Sequence, residues 1–132
     1  MDLDRDKLRG GYYTSHEIAA WLCAWAIRAT TDRVLEPSCG DGVFLVSAVE
    51  RFVELGASVS AVADNLTGVE IVSDEADLAR ARLRQRCGLR APNIVETSDF
   101  FSWWQKPNRP AFDAVIGNPP FIRYQSFPDP HR

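Results

Sequence analysis

The residues able to do chemistry fall in four short stretches: EPSCGDG at 36–42, Glu70 with Ile71, SDFF at 98–101, and GNPPF at 117–121. In GNPPF the two prolines remove two backbone donors and fix φ, so the nearby carbonyls point rigidly with no N–H beside them. Asn118 adds a side-chain carbonyl. Two convergent acceptors suit a group carrying two donors, which means an amino group. In EPSCGDG, Gly40 and Gly42 let the backbone turn tightly and approach a ligand closely, and the helix start that follows offers unpaired N–H groups. The alternative is a plain strand-to-helix turn, since Leu45 stands where a dinucleotide G-x-G-x-x-G fingerprint has its third glycine. Glu70 is of a type that accepts from both hydroxyls of a ribose, or it is a solvent-facing strand end. Asp99 offers a carboxylate to an exocyclic amine and Phe100 or Phe101 a ring to a purine; alternatively the rings are core and Asp99 caps a turn.

The elements that must position these residues can be read from periodicity. Residues 14–29 have the capping-box spacing of Thr14 and Glu17, and Ile18, Trp21, Leu22 and Trp25 recur on one apolar face, which predicts a helix packing on something flat. Residues 33–36 predict a short strand and 43–55 a helix with Gly56 as its C-cap. The pattern repeats with a strand over 66–71 and a helix capped by Ser73 that runs to Cys87 and ends at Gly88. Asp74, Glu75 and Asp77 open that helix and Arg80, Arg82, Arg84 and Arg86 follow, matching the helix dipole; the arginines are either a solvated helix end or a phosphate patch. A third strand in NIVETSDFF, a loop in WWQKPNRP and a fourth, doubly buried strand over 111–117 complete the series. Strands alternating with helices imply a parallel α/β sheet with right-handed crossovers, whose ligands sit beyond the carboxyl ends of the strands.

The totals set limits. At 132 residues one core is expected. No apolar stretch is long enough for a membrane helix, MDLDRDKLRGG lacks the apolar centre of a secretory signal, and the cytoplasm is the default compartment. Cys23, Cys39 and Cys87 lie far apart with no C-x-x-C, which suggests reduced thiols and no metal site, and His16 reads as a surface residue. A net charge of −3 argues against a chain that grips nucleic acid unaided.

The succession GGYYTS, LEPSCGDGVF, GVEI, SDFF and IGNPPF resembles the gamma-type N6-adenine DNA methyltransferases of restriction-modification and phage-defence systems. The resemblance spans residues 10–124 and implies a partial Rossmann-like fold dependent on S-adenosylmethionine. That fold would have about four parallel strands with flanking helices, the remaining strands being missing. It implies an N-terminal arm over 1–11 and a cofactor-binding domain over 12–132. Tyr13 and Thr14 would touch the methionine part of the cofactor, with Glu36, Pro37, Ser38, Gly40, Asp41 and Gly42 forming the glycine loop. Glu70 would hold the ribose, Ile71 would lie beside the adenine, and Asp99 with Phe100 would contact it. Asn118, Pro119, Pro120 and Phe121 would be the catalytic motif, Phe121 stacking on a base flipped from the duplex. No covalent nucleophile is needed, and Cys39 reads as a small loop residue.

Members of that family carry further strands and a DNA-recognition domain, so the expectation is an N-terminal piece, inactive alone, reaching DNA through a missing C-terminal region or working with a complementing chain. The alternatives are a methyltransferase of protein glutamine or RNA bases, a non-catalytic cofactor-binding or partner module, and a nicotinamide dinucleotide enzyme.

Overall fold

A computed structural model describes residues 14–88 and 93–118. The arm over 1–11, Tyr13, Pro119, Pro120 and Phe121 lie outside the described residues. In chain order the elements are α1 (His16–Ala26), β1 (Val34–Glu36), α2 (Val43–Glu54), α3 (Val59–Asn65), β2 (Leu66–Glu70), α4 (Ser73–Cys87), β3 (Val95–Thr97), α5 (Phe100–Trp104) and β4 (Ala114–Val115). The described strands form one parallel sheet in the order β3-β2-β1-β4. This is the expected α/β architecture of parallel strands with helices between them.

A side-chain period of two along each strand divides the apolar residues between the two faces of the sheet. Val34, Leu66, Val95 and Ile116 join the larger core, which α1, α2, α3 and α4 complete with Ala19, Cys23, Phe44, Leu45, Phe52, Val62 and Leu83. Leu35 and Val69 turn the other way and lie under Trp103 of α5, with Phe100 and Phe112 packed beside it.

The face assigned to α1 is corrected. Trp21 and Trp25 are 68% and 70% exposed and Ile18 is also exposed, while Ala19, Cys23 and Ile27 are buried. The small residues point inward because α1 packs on α2, and the Cys23 Sγ lies 3.8 Å from the carbonyl of Phe44. An indole at that contact would force the two helices apart. The cap is Ser15, whose hydroxyl accepts from the Ile18 N–H at 3.3 Å, and not Thr14. Likewise Val72 precedes α4 without a side-chain cap, and Ser73 is its first residue.

Two short helices were not anticipated: α3, capped by Ser58, and α5, capped by Asp99. The fourth strand is shorter than expected and is not buried on both faces, because β4 pairs with β1 and Val115 is exposed. The arginine run is divided in use. Arg80 donates to the Val95 carbonyl at 3.0 Å and to the Thr97 hydroxyl at 2.9 Å, tying α4 to β3, whereas Arg84 and Arg86 are exposed.

Leu45 stands in α2 where a third glycine would let the helix approach the sheet, and the space comes from the strand instead. A Cβ on Gly68 of β2 would lie 2.7 Å from Leu45 Cδ1 and 3.3 Å from Cys39 Cβ. Leu45 is fully buried and has nowhere to turn. Gly68→Ala is therefore expected to destabilise the chain by about 1–3 kcal/mol through overpacking. Adding Leu45→Ala should make the Gly68 substitution less costly, and urea denaturation of the single and double variants checks this. A strictly additive double variant would rule the contact out.

Candidate functional site

From β1 the chain steps outward to β2 and β3, then returns to place β4 on the opposite side of β1. The order therefore reverses between β1 and β4, a topological switch point at whose carboxyl ends open α/β sheets bind ligands. Glu36 ends β1 on one side of it, and Ile116, Gly117 and Asn118 follow β4 on the other. The Ile116 N–H donates to the Leu35 carbonyl at 3.0 Å, which fixes the two segments side by side.

Glu36 is 1% exposed, and one of its oxygens, Oε2, accepts from the Ser38 N–H at 2.9 Å. Burial pushes its carboxyl up to about 8, the Ser38 N–H pulls the other way, and the neighbouring Glu70 carboxylate adds to the rise. Its other oxygen, Oε1, faces Gly117: a Cβ there would overlap it. A glycine is thus required immediately before Asn118 by packing against the end of β1. Sequence reasoning did not count Gly117 as a site residue, although a glycine between an apolar run and the asparagine was the available signal.

Glu70 is the second buried carboxylate. Its Oε1 accepts from the Gly40 N–H at 2.9 Å and its Oε2 from the Val72 N–H at 2.8 Å, so it braces the glycine loop across the sheet. Gly40 and Gly42 adopt positive φ of 52° and 92°, conformations that side-chain-bearing residues rarely take. At Gly42 a Cβ would also lie 3.1 Å from the backbone of Ala79 in α4. Asp41 is buried and forms an ion pair at 3.3 Å with Arg82, a second loop contact that periodicity alone could not show. Pro37 and Ser38 are half-buried at the start of the loop. Burial, then Glu36 and Glu70, raise the Cys39 thiol well above its ordinary value, so it stays protonated at neutral pH.

Thr14 lies directly before the Ser15 cap of α1. Its hydroxyl accepts from the Asn118 Nδ2 at 3.0 Å. Ile71 follows Glu70 and is exposed, as an apolar wall for a ligand would be. Asp99 caps α5, its Oδ2 accepting from both the N–H and the hydroxyl of Ser102 at 3.0 Å. Phe100 is partly buried and packs on Trp103 beside the smaller core, and Phe101 is exposed. Direct contacts thus tie Thr14 to Asn118, Ser38 to Glu36, Gly40 to Glu70 and Asp41 to Arg82.

The sequence model of the family described as N-6 DNA Methylase matches residues 3–128 of this chain. The chain belongs to that family. Among curated relatives, the chain is 26% identical over 126 residues to the type II methyltransferase M.HincII of Haemophilus influenzae, covering 96% of the chain and 20% of the relative. It is 30% identical over 113 residues to the type II methyltransferase M.VspI of Vibrio sp. (strain 343), covering 85% of the chain and 25% of the relative. To the type II methyltransferase M.PaeR7I of Pseudomonas aeruginosa it is 29% identical, covering 94% of the chain and 25% of the relative. The chain spans about a fifth to a quarter of the length of these relatives. Among the described residues, no helix is long and apolar enough to cross a membrane, and no group of three His, Cys, Asp or Glu side chains is placed to hold a metal.

Proposed function

We propose that this chain forms the donor-binding and amino-group-recognising part of a DNA adenine-N6 methyltransferase of restriction-modification or phage-defence type, with S-adenosylmethionine as methyl donor. The observation that carries the reading is that Asn118 directly follows Gly117, which packs against Glu36 at the start of a glycine loop braced by the buried carboxylates Glu36 and Glu70. The residues fit the donor by their chemistry. S-Adenosylmethionine carries an ammonium group, a sulfonium and two ribose hydroxyls, and when bound it supplies an electrophilic methyl group. Buried carboxylates are acceptors of positive charge and hydroxyl hydrogens, and each oxygen of Glu70 that already accepts one backbone N–H keeps a second lone pair.

The chain's own groups then have distinct tasks. Glu36, Glu70, Asp41 and the loop from Pro37 to Gly42 hold the donor, with Thr14 and Tyr13 at its amino-acid end and Ile71, Asp99 and Phe100 at its adenine. Asn118 Oδ1 and the Pro119 carbonyl accept the two hydrogens of the target amino group, which favours an sp3-like nitrogen whose lone pair is no longer conjugated into the ring. The same acceptors stabilise the positive charge that develops on this nitrogen in the transition state. The ring of Pro120 fixes its φ and removes a backbone donor, and Phe121 stacks on the flipped base. Among the described strands β4 lies at the edge of the sheet and carries the exposed Val115, where a complementing segment would add a strand and bring further DNA contacts.

A calorimetric titration of the purified chain with S-adenosylmethionine tests the reading, with Glu70→Gln and Glu70→Ala as variants. Saturable binding is expected, weakened about tenfold or more in Glu70→Gln, which keeps one acceptor for the loop, and further in Glu70→Ala. Equal affinity in all three proteins would remove Glu70 from the site, and absence of binding by the folded wild type would overturn the proposal. Methyl transfer compared on duplex DNA, RNA and a protein glutamine, with a complementing segment present, separates the adenine reading from its rivals.

A further inference from the structure

We propose that Thr14 is a positioning residue for Asn118, and that an anionic carboxylate at the Thr14 hydroxyl decides which end of the Asn118 amide faces the target base. The inference rests on the donor-binding reading above, since the carboxylate meant is that of the donor's amino-acid end. It starts from a hydrogen bond that joins two distant parts of the sequence, the 3.0 Å contact between Asn118 Nδ2 and Thr14 Oγ1.

The terminal torsion of an asparagine is broad and roughly two-fold, so the amide readily presents either its oxygen or its nitrogen in a given direction. Only one of these is useful. An outward Oδ1 accepts from an amino group; an outward NH2 sets donor against donor. Because oxygen and nitrogen sit on opposite sides of one planar group, anchoring the nitrogen aims the oxygen. Thr14 provides the anchor: it is half-buried directly before the Ser15 cap of α1, and Asn118 directly follows Gly117, whose position is held against Glu36.

A hydroxyl has one hydrogen and two acceptor positions. On its own it satisfies either amide orientation, by accepting from Nδ2 or by donating to Oδ1. Once that hydrogen is given to a carboxylate, only lone pairs remain to face Asn118. The amide must then turn Nδ2 towards Thr14 and Oδ1 away from it. Donor binding thereby converts a two-way amide into one that is ready to accept, and places donor binding before productive capture of the base.

The test uses the whole chain labelled with nitrogen-15, following the Asn118 side-chain NH2 pair, which is assigned by its loss in Asn118→Asp. Thr14→Val keeps the shape and removes the hydroxyl; Thr14→Ser keeps the hydroxyl. Saturating S-adenosylmethionine is expected to shift the Asn118 NH2 protons downfield and slow their exchange with water several-fold in the wild type and in Thr14→Ser. In Thr14→Val the donor should still saturate the site, with affinity reduced about tenfold, while the Asn118 pair stays unchanged. A Thr14→Val chain whose Asn118 pair responds as in the wild type would overturn the inference and leave the donor-binding reading standing. A wild-type chain that binds no donor would overturn both.

Discussion

Glu36→Gln is expected to stabilise the ligand-free chain by about 3–5 kcal/mol at pH 9 and by almost nothing at pH 4.5. The cause is a carboxyl that is 1% exposed, next to Glu70, and raised to about 8. A group whose folded-state value lies above its unfolded one gives stability that is fully present below the unfolded value, near 4.3, and is lost as the pH rises through the folded one. Each unit of difference corresponds to about 1.4 kcal/mol, and the near-complete burial leaves little solvent screening to discount. The neutral amide keeps an acceptor for the Ser38 N–H and carries no charge to desolvate. Urea denaturation of both proteins at pH 4.5, 6.5 and 9 should show curves that separate as the pH rises; a constant gap would mean that ionisation of Glu36 is not responsible. The stabilised variant should also bind a cationic ligand less well, because in the wild type such a ligand draws the proton off Glu36 and gains a carboxylate partner.

Phe52→Ala is expected to cost about 3–5 kcal/mol, the combined loss of apolar burial and of packing around the cavity left behind. Phe52 lies near the end of α2 and is fully buried in the larger core with residues of the sheet and helices. Alanine's better helix propensity returns only a few tenths of a kcal/mol. Against a total of about 5–15 kcal/mol for a small domain, this loss brings the chain close to its unfolding threshold. Tryptophan fluorescence during urea unfolding is a suitable probe, since Trp103 is buried against Leu35 and Val69 on the opposite face of the sheet. The neighbouring Val53 is half exposed, and Val53→Ala serves as the comparison, with an expected change under about 0.5 kcal/mol. Equal losses for the two would show that Phe52 is not part of the cooperative core.

The strands, the crossover helices and the glycine turn were legible because each has a strong local signature. Gly88 ends α4 in a left-handed conformation, the acids precede the arginines along that helix, and Glu36 and Glu70 close the short strands β1 and β2 at their carboxyl ends. The inward face of α1 was not legible. Ranking by hydrophobicity puts Trp21 and Trp25 inside, but close contact with α2 favours Ala19 and Cys23, and a sequence pattern carries no distance between helices. Helices of seven and five residues such as α3 and α5 are too short for a 3.6-residue period to emerge. Within the site, residue types indicated Glu70 and Asn118, and the family resemblance added Glu36. The bonds that organise them, from Gly40 to Glu70 and from Asn118 to Thr14, join segments far apart in sequence and exist only in the folded chain.

The contact between Glu36 and Gly117 constrains how this sequence can change over evolutionary time. Enlarging residue 117 while a full-length glutamate stands at 36 creates an overlap, so that step is harmful whatever benefit the new side chain would bring. Shortening residue 36 first removes the overlap, and the same substitution at 117 then meets only the backbone strain of its φ of 157°. The two positions are bound by epistasis with a fixed order of steps, and the glycine loop and the asparagine motif drift as one unit even though most of the domain lies between them in the gene.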